Sequence, residues 1–228
     1  TRSRGLGDVY KRQSVNGLQI GKVLKIDGDE KYRVQIALPV AGEDVQIWAR
    51  MVFEDAGNNR GKIFWPEIDD EVIVGFLNSD PRNPVILGSL FSKTNIPPIL
   101  PDADNFEKGI ITKEKVKIII NDEDKSVNIE TPEGNSIFID DETKSIILED
   151  QNQNSITMDK SGITISSQGD INIESSKGIN ITSQMDLKME GMNIENTANA
   201  KFSADGQAGA ELTTSAIAVV KGSMVQIN

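Results

Sequence analysis

The side chains in this sequence that could do chemistry are mainly carboxylates, because the chain contains no histidine and no cysteine. That composition removes the most common general base, the thiolate nucleophile and the usual zinc ligands. Two paired or spaced sets of acids remain as candidates. They are the neighbouring acids Asp140, Asp141, Glu142, Glu149 and Asp150, and the spaced acids Asp122, Asp124 and Glu133. The first set would suit glycoside hydrolysis and the second would suit calcium binding.

Neither set fits the chemistry that it suggests. The spaced acids occupy positions 1, 3 and 12 of a calcium-loop template and Ser126 occupies position 5, but Val127 stands where the template needs glycine. The neighbouring acids fall in turn segments between short apolar strands, where no cleft would separate two carboxylates. The sequence therefore predicts solvated turns, no catalytic residue, no metal, no cofactor and no enzymatic activity.

Composition narrows the function classes further. The chain has 228 residues, 37% hydrophobic and 5% aromatic, and a net charge of -11 with a pI near 4.6. Nucleic acids and anionic membranes attract surfaces rich in Lys and Arg. The acidic balance argues against both partners.

The elements that position these acids are short strands in the second half of the chain. Apolar residues recur there as pairs two residues apart, which places both side chains of a pair on one face of a strand. The pairs are Ile118/Ile120, Val127/Ile129, Ile137/Ile139, Ile146/Leu148, Ile156/Met158, Ile163/Ile165, Ile171/Ile173, Ile179/Ile181 and Leu187/Met189. They are nine or ten residues apart up to Ile156 and seven or eight afterwards. The wide spacing predicts an antiparallel meander, and the tight spacing predicts one short strand between successive corners.

The first half of the chain predicts a small β-barrel. Alternating apolar residues indicate strands around Ile20–Ile26, Tyr32–Leu38, Val45–Met51, Ile63–Trp65, Val72–Phe76 and Val85–Phe91, with a loop at Asp55–Arg60. Five or six short strands in about 75 residues are typical of an OB-fold. The few aromatic side chains are expected in the core or at an interface.

A motif across this barrel resembles a known family. The string FWPEIDDEVIVGFLNSDPRNPVILGSL, with IWAR upstream, is similar to the OB domain of the valine-glycine repeat (VgrG) spike proteins of type VI secretion systems and to the protein V spikes of phage baseplates. The motif residues are Trp48, Arg50, Pro66, Glu67, Glu71, Asp80, Pro81, Pro84 and Gly88. Asp69 departs from the family's usual glycine at a tight turn, which predicts a positive φ there.

The resemblance implies an all-β architecture, an OB-fold barrel followed by an intertwined trimeric β-helix or β-prism spike. It also implies that Ser223, Met224, Val225, Gln226, Ile227 and Asn228 form a platform for a PAAR-class tip protein. Inner-tube and baseplate proteins, bound through an N-terminal hub that this sequence lacks, and secreted effectors are the other implied partners. Such a spike assembles in the bacterial cytoplasm and is then translocated into a target.

A physical argument favours the trimer independently. A strand with one apolar pair needs a second layer to cover that pair, and one ribbon has none. Three copies can point their pairs at a shared axis. A single-chain solenoid is the structural alternative, but no pattern recurs at the 24 residues that three segments would make.

These observations predict the domain organisation and function. Residues 1–14 do not match the acidic composition of the rest and are expected to be an artefactual, disordered leader to a C-terminal fragment. Residues 15–92 are predicted as the OB-fold, 93–108 as a linker and 109–228 as the spike. The predicted function is a puncturing spike that presents a tip protein and aids effector delivery. A carbohydrate-binding or carbohydrate-active single-chain β-solenoid is the alternative.

Overall fold

A computed structural model of the chain describes residues 17–42 and 45–226, and its regular structure is almost entirely β. The helical elements of the described residues are two three-residue 3-10 turns, Pro39–Ala41 and Leu77–Ser79. The prediction of an all-β chain is confirmed. The predictions made for residues 1–14, Ile227 and Asn228 lie outside the described residues.

Five strands of the first half close into a barrel in the order β1-β2-β3-β7-β6. The strands of this half are β1 (Gln19–Lys25), β2 (Arg33–Ala37), β3 (Gln46–Met51), β4 (Ala56–Gly57), β5 (Arg60–Gly61), β6 (Glu71–Phe76) and β7 (Pro84–Leu90). Neighbouring barrel strands are antiparallel except β3 and β7, which are parallel. Closure leaves no edge strand, as in an OB-fold.

Alternation along the strands fills the barrel. In β2 the buried positions are Val34 and Ile36, and in β6 they include Val72 and Val74. The buried apolar cluster is Val23, Val34, Ile36, Leu38, Ala49, Val72, Val74 and Ile86. A period of two in the sequence therefore becomes one buried face per strand, as predicted.

The segment between β3 and β6 differs from the prediction. Residues 63–65, predicted as a strand, pair with no strand of the described chain, whereas the predicted loop contains the small β4–β5 hairpin. Trp65 instead packs edge-to-face on Phe53, with the ring centroids 5.0 Å apart. The buried Pro66 that follows has no N–H to donate to a ladder.

Asp69 has the left-handed backbone that the motif predicts, with φ at 76°. Its N–H donates to the Val23 carbonyl oxygen at 2.9 Å, so the turn is fastened to β1. The Asp69 carboxylate lies 2.7 Å from the Lys22 Nζ, an exposed ion pair. Surface pairs of this kind stabilise little, so backbone conformation dominates at this position.

We expect Asp69→Gly to be more stable to unfolding than Asp69→Ala by about 1 kcal/mol, because a Cβ is disfavoured at positive φ. Both variants lose the Lys22 ion pair, so their difference isolates the backbone term. Urea unfolding followed by tryptophan fluorescence measures it, since both tryptophans, Trp48 and Trp65, lie in the barrel half. Equal midpoints for the two variants would contradict the strain.

The second sheet is a seven-strand antiparallel meander, as predicted from the nine-to-ten residue spacing. Its strands each span five residues and pair in sequence order. They are β8 (Glu107–Ile111), β9 (Lys117–Asn121), β10 (Ser126–Glu130), β11 (Ser136–Asp140), β12 (Ser145–Glu149), β13 (Ser155–Asp159) and β14 (Gly162–Ser166). The Glu67 carboxylate of the barrel half accepts a hydrogen bond from Lys113 Nζ of the β8–β9 turn at 3.1 Å.

The chain divides into two units, one ending at Ile171 and the other beginning at Asn172. In the second unit the described residues form no strand pairing of their own. The backbone bends at residues 176–177, 184–185, 192, 199–200, 207–208, 215–216 and 223, a period of seven or eight. The corners predicted from the tight spacing are therefore present. None of the helices among the described residues is long and apolar enough to cross a membrane.

Candidate functional site: an uncovered apolar face

The register of the meander aligns the apolar pairs into two columns on one face of the sheet. Ile129 of β10 lies opposite Ile118 of β9 and Ile137 of β11, and the same alignment repeats at every later strand. One column is Ile110, Ile118, Ile129, Ile137, Leu148, Ile156 and Ile165. The other is Ile120, Val127, Ile139, Ile146, Met158 and Ile163. We call these two columns the apolar face.

The apolar face has no second layer among the residues of the first unit that the structure describes. Ile137 and Ile139 remain 40% and 42% exposed, although each has apolar neighbours on both adjacent strands. Toward the end of the sheet Ile163 is 71% exposed. Covering such a face stabilises an assembly by roughly 1 kcal/mol for each half-exposed large side chain. An exposed apolar patch of this extent is typical of an interaction surface.

The opposite face of the sheet is mixed. Ile119, Phe138 and Ile147 form a short central row with Asn128 and Thr157, and small polar or charged residues flank it. On one flank the Lys117 Nζ lies 3.3 Å from the Glu130 carboxylate across the β9–β10 ladder. This face can stay in water, so the two faces of the sheet have different roles.

The carboxylates considered for chemistry lie at the turns. The Asp140 carboxylate accepts hydrogen bonds from the Thr143 hydroxyl and from the Glu142 N–H, each at 2.7 Å, which lower the pKa of Asp140. The Asp150 carboxylate is held in the same way by Asn154 and Asn152, and its pKa is also lowered. Both acids close their own turns. Among the described residues no group of three acids is placed to hold a metal ion.

The motif residues of the barrel serve its strands and turns. Trp48 and Arg50 lie on β3, Glu71 opens β6, and Gly88 lies on β7 opposite Ile73. Pro66 and Pro84 are buried, while Glu67 and Arg50 are exposed. These residues are distributed over β3, β6, β7 and the segments that connect them.

Two aspartates hold turns of the barrel through arginine forks. The Asp80 carboxylate accepts hydrogen bonds from the Arg82 backbone N–H at 2.9 Å, from its Nε at 3.0 Å and from its Nη2 at 2.6 Å. This turn contains Pro81 and leads to Pro84, where β7 begins. The Asp29 carboxylate accepts from the Arg33 Nε and Nη2, each at 2.9 Å. These charge-assisted bonds lower the pKa of each aspartate to about 2.

We expect the barrel to lose stability as the pH falls from about 4 toward 2. A carboxylate whose pKa is lower in the folded than in the unfolded state stabilises the fold above the unfolded pKa and stops doing so as it protonates. Urea midpoints of the full chain between pH 7 and pH 2 measure this slope. The double variant Asp29→Asn, Asp80→Asn should have a shallower slope below pH 4, and an unchanged slope would contradict the assignment.

The second unit carries the apolar pairs onward without cover. Ile181, Leu187 and Val219 are 61–69% exposed. Of the predicted tip platform, Ser223 lies at a bend and Met224 and Val225 are 83% and 51% exposed, while Gln226 is the last described residue. Met224 and Val225 are thus exposed to a similar extent as the other apolar residues described in this unit.

Sequence reasoning missed the side chains that join successive turns of the meander. Asn135 and Asn154 each use a side-chain amide oxygen to accept an N–H from the next turn region, at Gln151 and Gln168. Asparagine in a turn is so common that its presence alone does not indicate such a contact.

Comparison with known proteins identifies the barrel. Residues 19–91 match the model of the type VI secretion system/phage-baseplate injector OB domain. Over 102 residues the chain is 35% identical to the type VI secretion system spike protein VgrG3 of Vibrio cholerae serotype O1, El Tor, covering 40% of this chain and 10% of that protein. It is 36% identical over 97 residues to the actin cross-linking toxin VgrG1 of Vibrio cholerae O1, Classical, covering 38% and 9%.

A third similarity is to the type VI secretion system spike protein VgrG2a of Pseudomonas aeruginosa, at 33% identity over 102 residues, covering 40% of this chain and 12% of that protein. The matched region therefore spans about a tenth of the length of each of these three relatives.

Proposed function

We propose that the chain is the spike of a contractile injection apparatus, because residues 19–91 match the injector OB domain of type VI secretion systems and phage baseplates. Its role there is mechanical, to puncture a target envelope when the apparatus contracts. The single observation that carries this proposal is the uncovered apolar face of the second sheet. A chain that acted as a monomer would not need such a surface.

The proposed spike is a homotrimer in which three copies turn their apolar faces toward a shared axis. In the second unit residues 172–225 belong to no strand ladder, and pairing with strands of other copies would supply one. Strands shared among three chains resist axial load, because separating one chain requires breaking the hydrogen bonds of all three. The strands predicted in the second unit therefore stay a prediction, which concerns the chain assembled with its other copies.

The proposed partners follow from the family. A PAAR-class tip protein would cover the platform Ser223–Asn228, inner-tube and baseplate proteins would bind the hub of a longer chain, and secreted effectors would travel with the spike. Assembly would take place in the bacterial cytoplasm, followed by translocation. The spike itself is proposed to have no enzymatic role, and the turn carboxylates support this because they bind their own turns.

Sedimentation equilibrium of the full chain tests the proposal. We expect a trimer that persists on dilution, because each copy would cover an apolar face along seven strands. A folded monomer at all concentrations would overturn the spike assignment. If that monomer bound immobilised glycans, the carbohydrate-binding alternative would take its place.

A further inference from the structure

The meander repeats with a period of 19 residues, which appears in its hydrogen bonds rather than in residue identity. On one side of the sheet, Thr112, Thr131 and Asp150 are spaced by 19. The N–H of each donates to the carbonyl oxygen four residues later, on Val116, Asn135 and Asn154, each at 3.0 Å. The fourth residue of each turn, which is Lys115, Gly134 or Gln153, has a positive φ. Three turns of unlike sequence therefore share one geometry.

The turns on the other side repeat with the same period. Asn121, Asp140 and Asp159 are again spaced by 19, and each side-chain oxygen accepts the N–H two residues later, at 2.8, 2.7 and 2.6 Å. The repeat is a hairpin of two five-residue strands with two turns of different kinds. Residues 107–125 and 126–144 are two copies of 19 residues, and residues 145–161 are a third copy whose second turn has only two residues.

The second and third hairpins are each joined to the segment that follows by an equivalent asparagine, whereas the first hairpin has Val116 at that position. The Gln151 N–H donates to the Asn135 Oδ1 at 3.3 Å, and the Gln168 N–H donates to the Asn154 Oδ1 at 2.9 Å. Asn154 also accepts from the Ser167 hydroxyl at 2.9 Å. The last link therefore fixes the start of the segment that leaves the sheet.

We infer that the apolar face packs against the same face of further copies, with each strand facing the same strand of the other copies. The 19-residue hairpin is therefore the repeat by which this interface can be lengthened or shortened. The inference rests on the proposed function, because the occupant of the face is a second copy of this chain. Continuity argues for that occupant: the apolar pairs run on from β14 into residues 171–189, where the described chain supplies no strand partner.

Excising one hairpin should leave both flanks in register. Without Ser126–Lys144, β12 would follow β9, placing Ile146 opposite Ile120 and Leu148 opposite Ile118. Lys117 would then face Glu149 in place of Glu130, so the cross-strand charge pair is retained. The sheet would be shorter by two strand spacings, about 10 Å.

Excising one strand and one turn should disturb the sheet more than excising a whole hairpin, although fewer residues are removed. Without Ser126–Asn135, apolar residues still fall on the same face, but every later strand runs in the opposite direction. The two kinds of turn then exchange sides, and β14 ends on the opposite side of the sheet, so the segment that follows it begins there. This ten-residue deletion is the matched control for the 19-residue deletion.

The experiment compares the full chain, both deletions and a chain with residues 126–144 duplicated, by sedimentation and small-angle X-ray scattering. We expect the 19-residue deletion and the duplication to keep the copy number of the full chain, with maximum dimensions about 10 Å shorter and longer. The ten-residue deletion should lose the assembly. Failure of both 19-residue variants to assemble, or equal assembly of the ten-residue deletion, would overturn the inference.

Co-expression tests whether copies must match. A tagged 19-residue deletion should capture less than about a tenth of the untagged full chain that a tagged full chain captures, because levels beyond the deletion would be misaligned. Statistical mixing would overturn the level-by-level packing. A monomeric full chain would instead overturn the proposed function, so the two failures are distinguishable.

Discussion

Replacing Ile137 by glutamate is expected to abolish assembly of the chain. Ile137 lies in the middle of the apolar face, with Ile129 and Leu148 opposite it on the adjacent strands. Three copies meeting at an axis would bring three carboxylates to one apolar level. A buried charge without a partner costs about 3–5 kcal/mol, and here the cost arises once in each copy. Sedimentation equilibrium of the variant should therefore show monomers where the full chain shows the assembled species.

The matched control is Thr157→Glu, which places the same side chain on the opposite face of the same sheet. Thr157 lies opposite Ile147 and Thr164, and polar or charged residues flank this row. The face can therefore remain in water, so assembly should be kept. Tryptophan fluorescence reports whether the barrel is intact in both variants, because both tryptophans, Trp48 and Trp65, lie in the barrel half. Loss of assembly in both variants would mean that the glutamate disturbs the strand itself, whereas assembly of both would contradict the role of the apolar face.

The sequence predicts the faces of strands well because a period of two is a local property. Val34 and Ile36 point inward in β2, and Ile137 and Ile139 share a face in β11, as alternation requires. The positive φ of Asp69 was predicted from its place in a motif that usually has glycine. The spans that failed depend on packing: residues 63–65 are apolar like a strand, but Trp65 contacts Phe53 instead of joining a ladder.

The 19-residue period could not be obtained from residue identities. Its turns use Thr, Thr and Asp on one side and Asn, Asp and Asp on the other, because several side chains can accept the same N–H. The alternation of nine and ten residues between apolar pairs is the sequence signal of a hairpin unit. That signal becomes specific only when the two kinds of turn are seen to alternate from side to side.

The candidate site, too, is predicted in part by local periodicity and in part only by family resemblance. The apolar pairs indicate a face that needs a cover, and the register of the sheet makes that face continuous. The tip platform rests on family resemblance, because Met224 and Val225 are exposed in the same way as other apolar residues of their unit. A surface is thus predictable from periodicity, whereas the identity of its partner requires chemistry that the periodicity does not contain.

The barrel should be far more sensitive than the sheet to loss of a single buried side chain, and Ile36→Ala is expected to destabilise it by about 3 kcal/mol. Ile36 is fully buried in β2, opposite Val23 of β1 and Ile47 of β3, in a cluster of eight buried apolar residues in the described part of the barrel. Removing its outer carbons leaves a cavity that the closed barrel cannot collapse to fill. Urea unfolding followed by tryptophan fluorescence measures the change.

Ile20→Ala is the matched control, because Ile20 lies on the outside of β1 and is 49% exposed. Its loss should cost about 1 kcal/mol or less, since half of the side chain is already in water. Neither variant touches the apolar face of the second sheet, so both should assemble like the full chain wherever the barrel remains folded. An Ile36→Ala chain with an unchanged unfolding midpoint would contradict the barrel core, whereas a chain with a weakened barrel but intact assembly would establish that barrel stability and spike assembly depend on separate sets of residues.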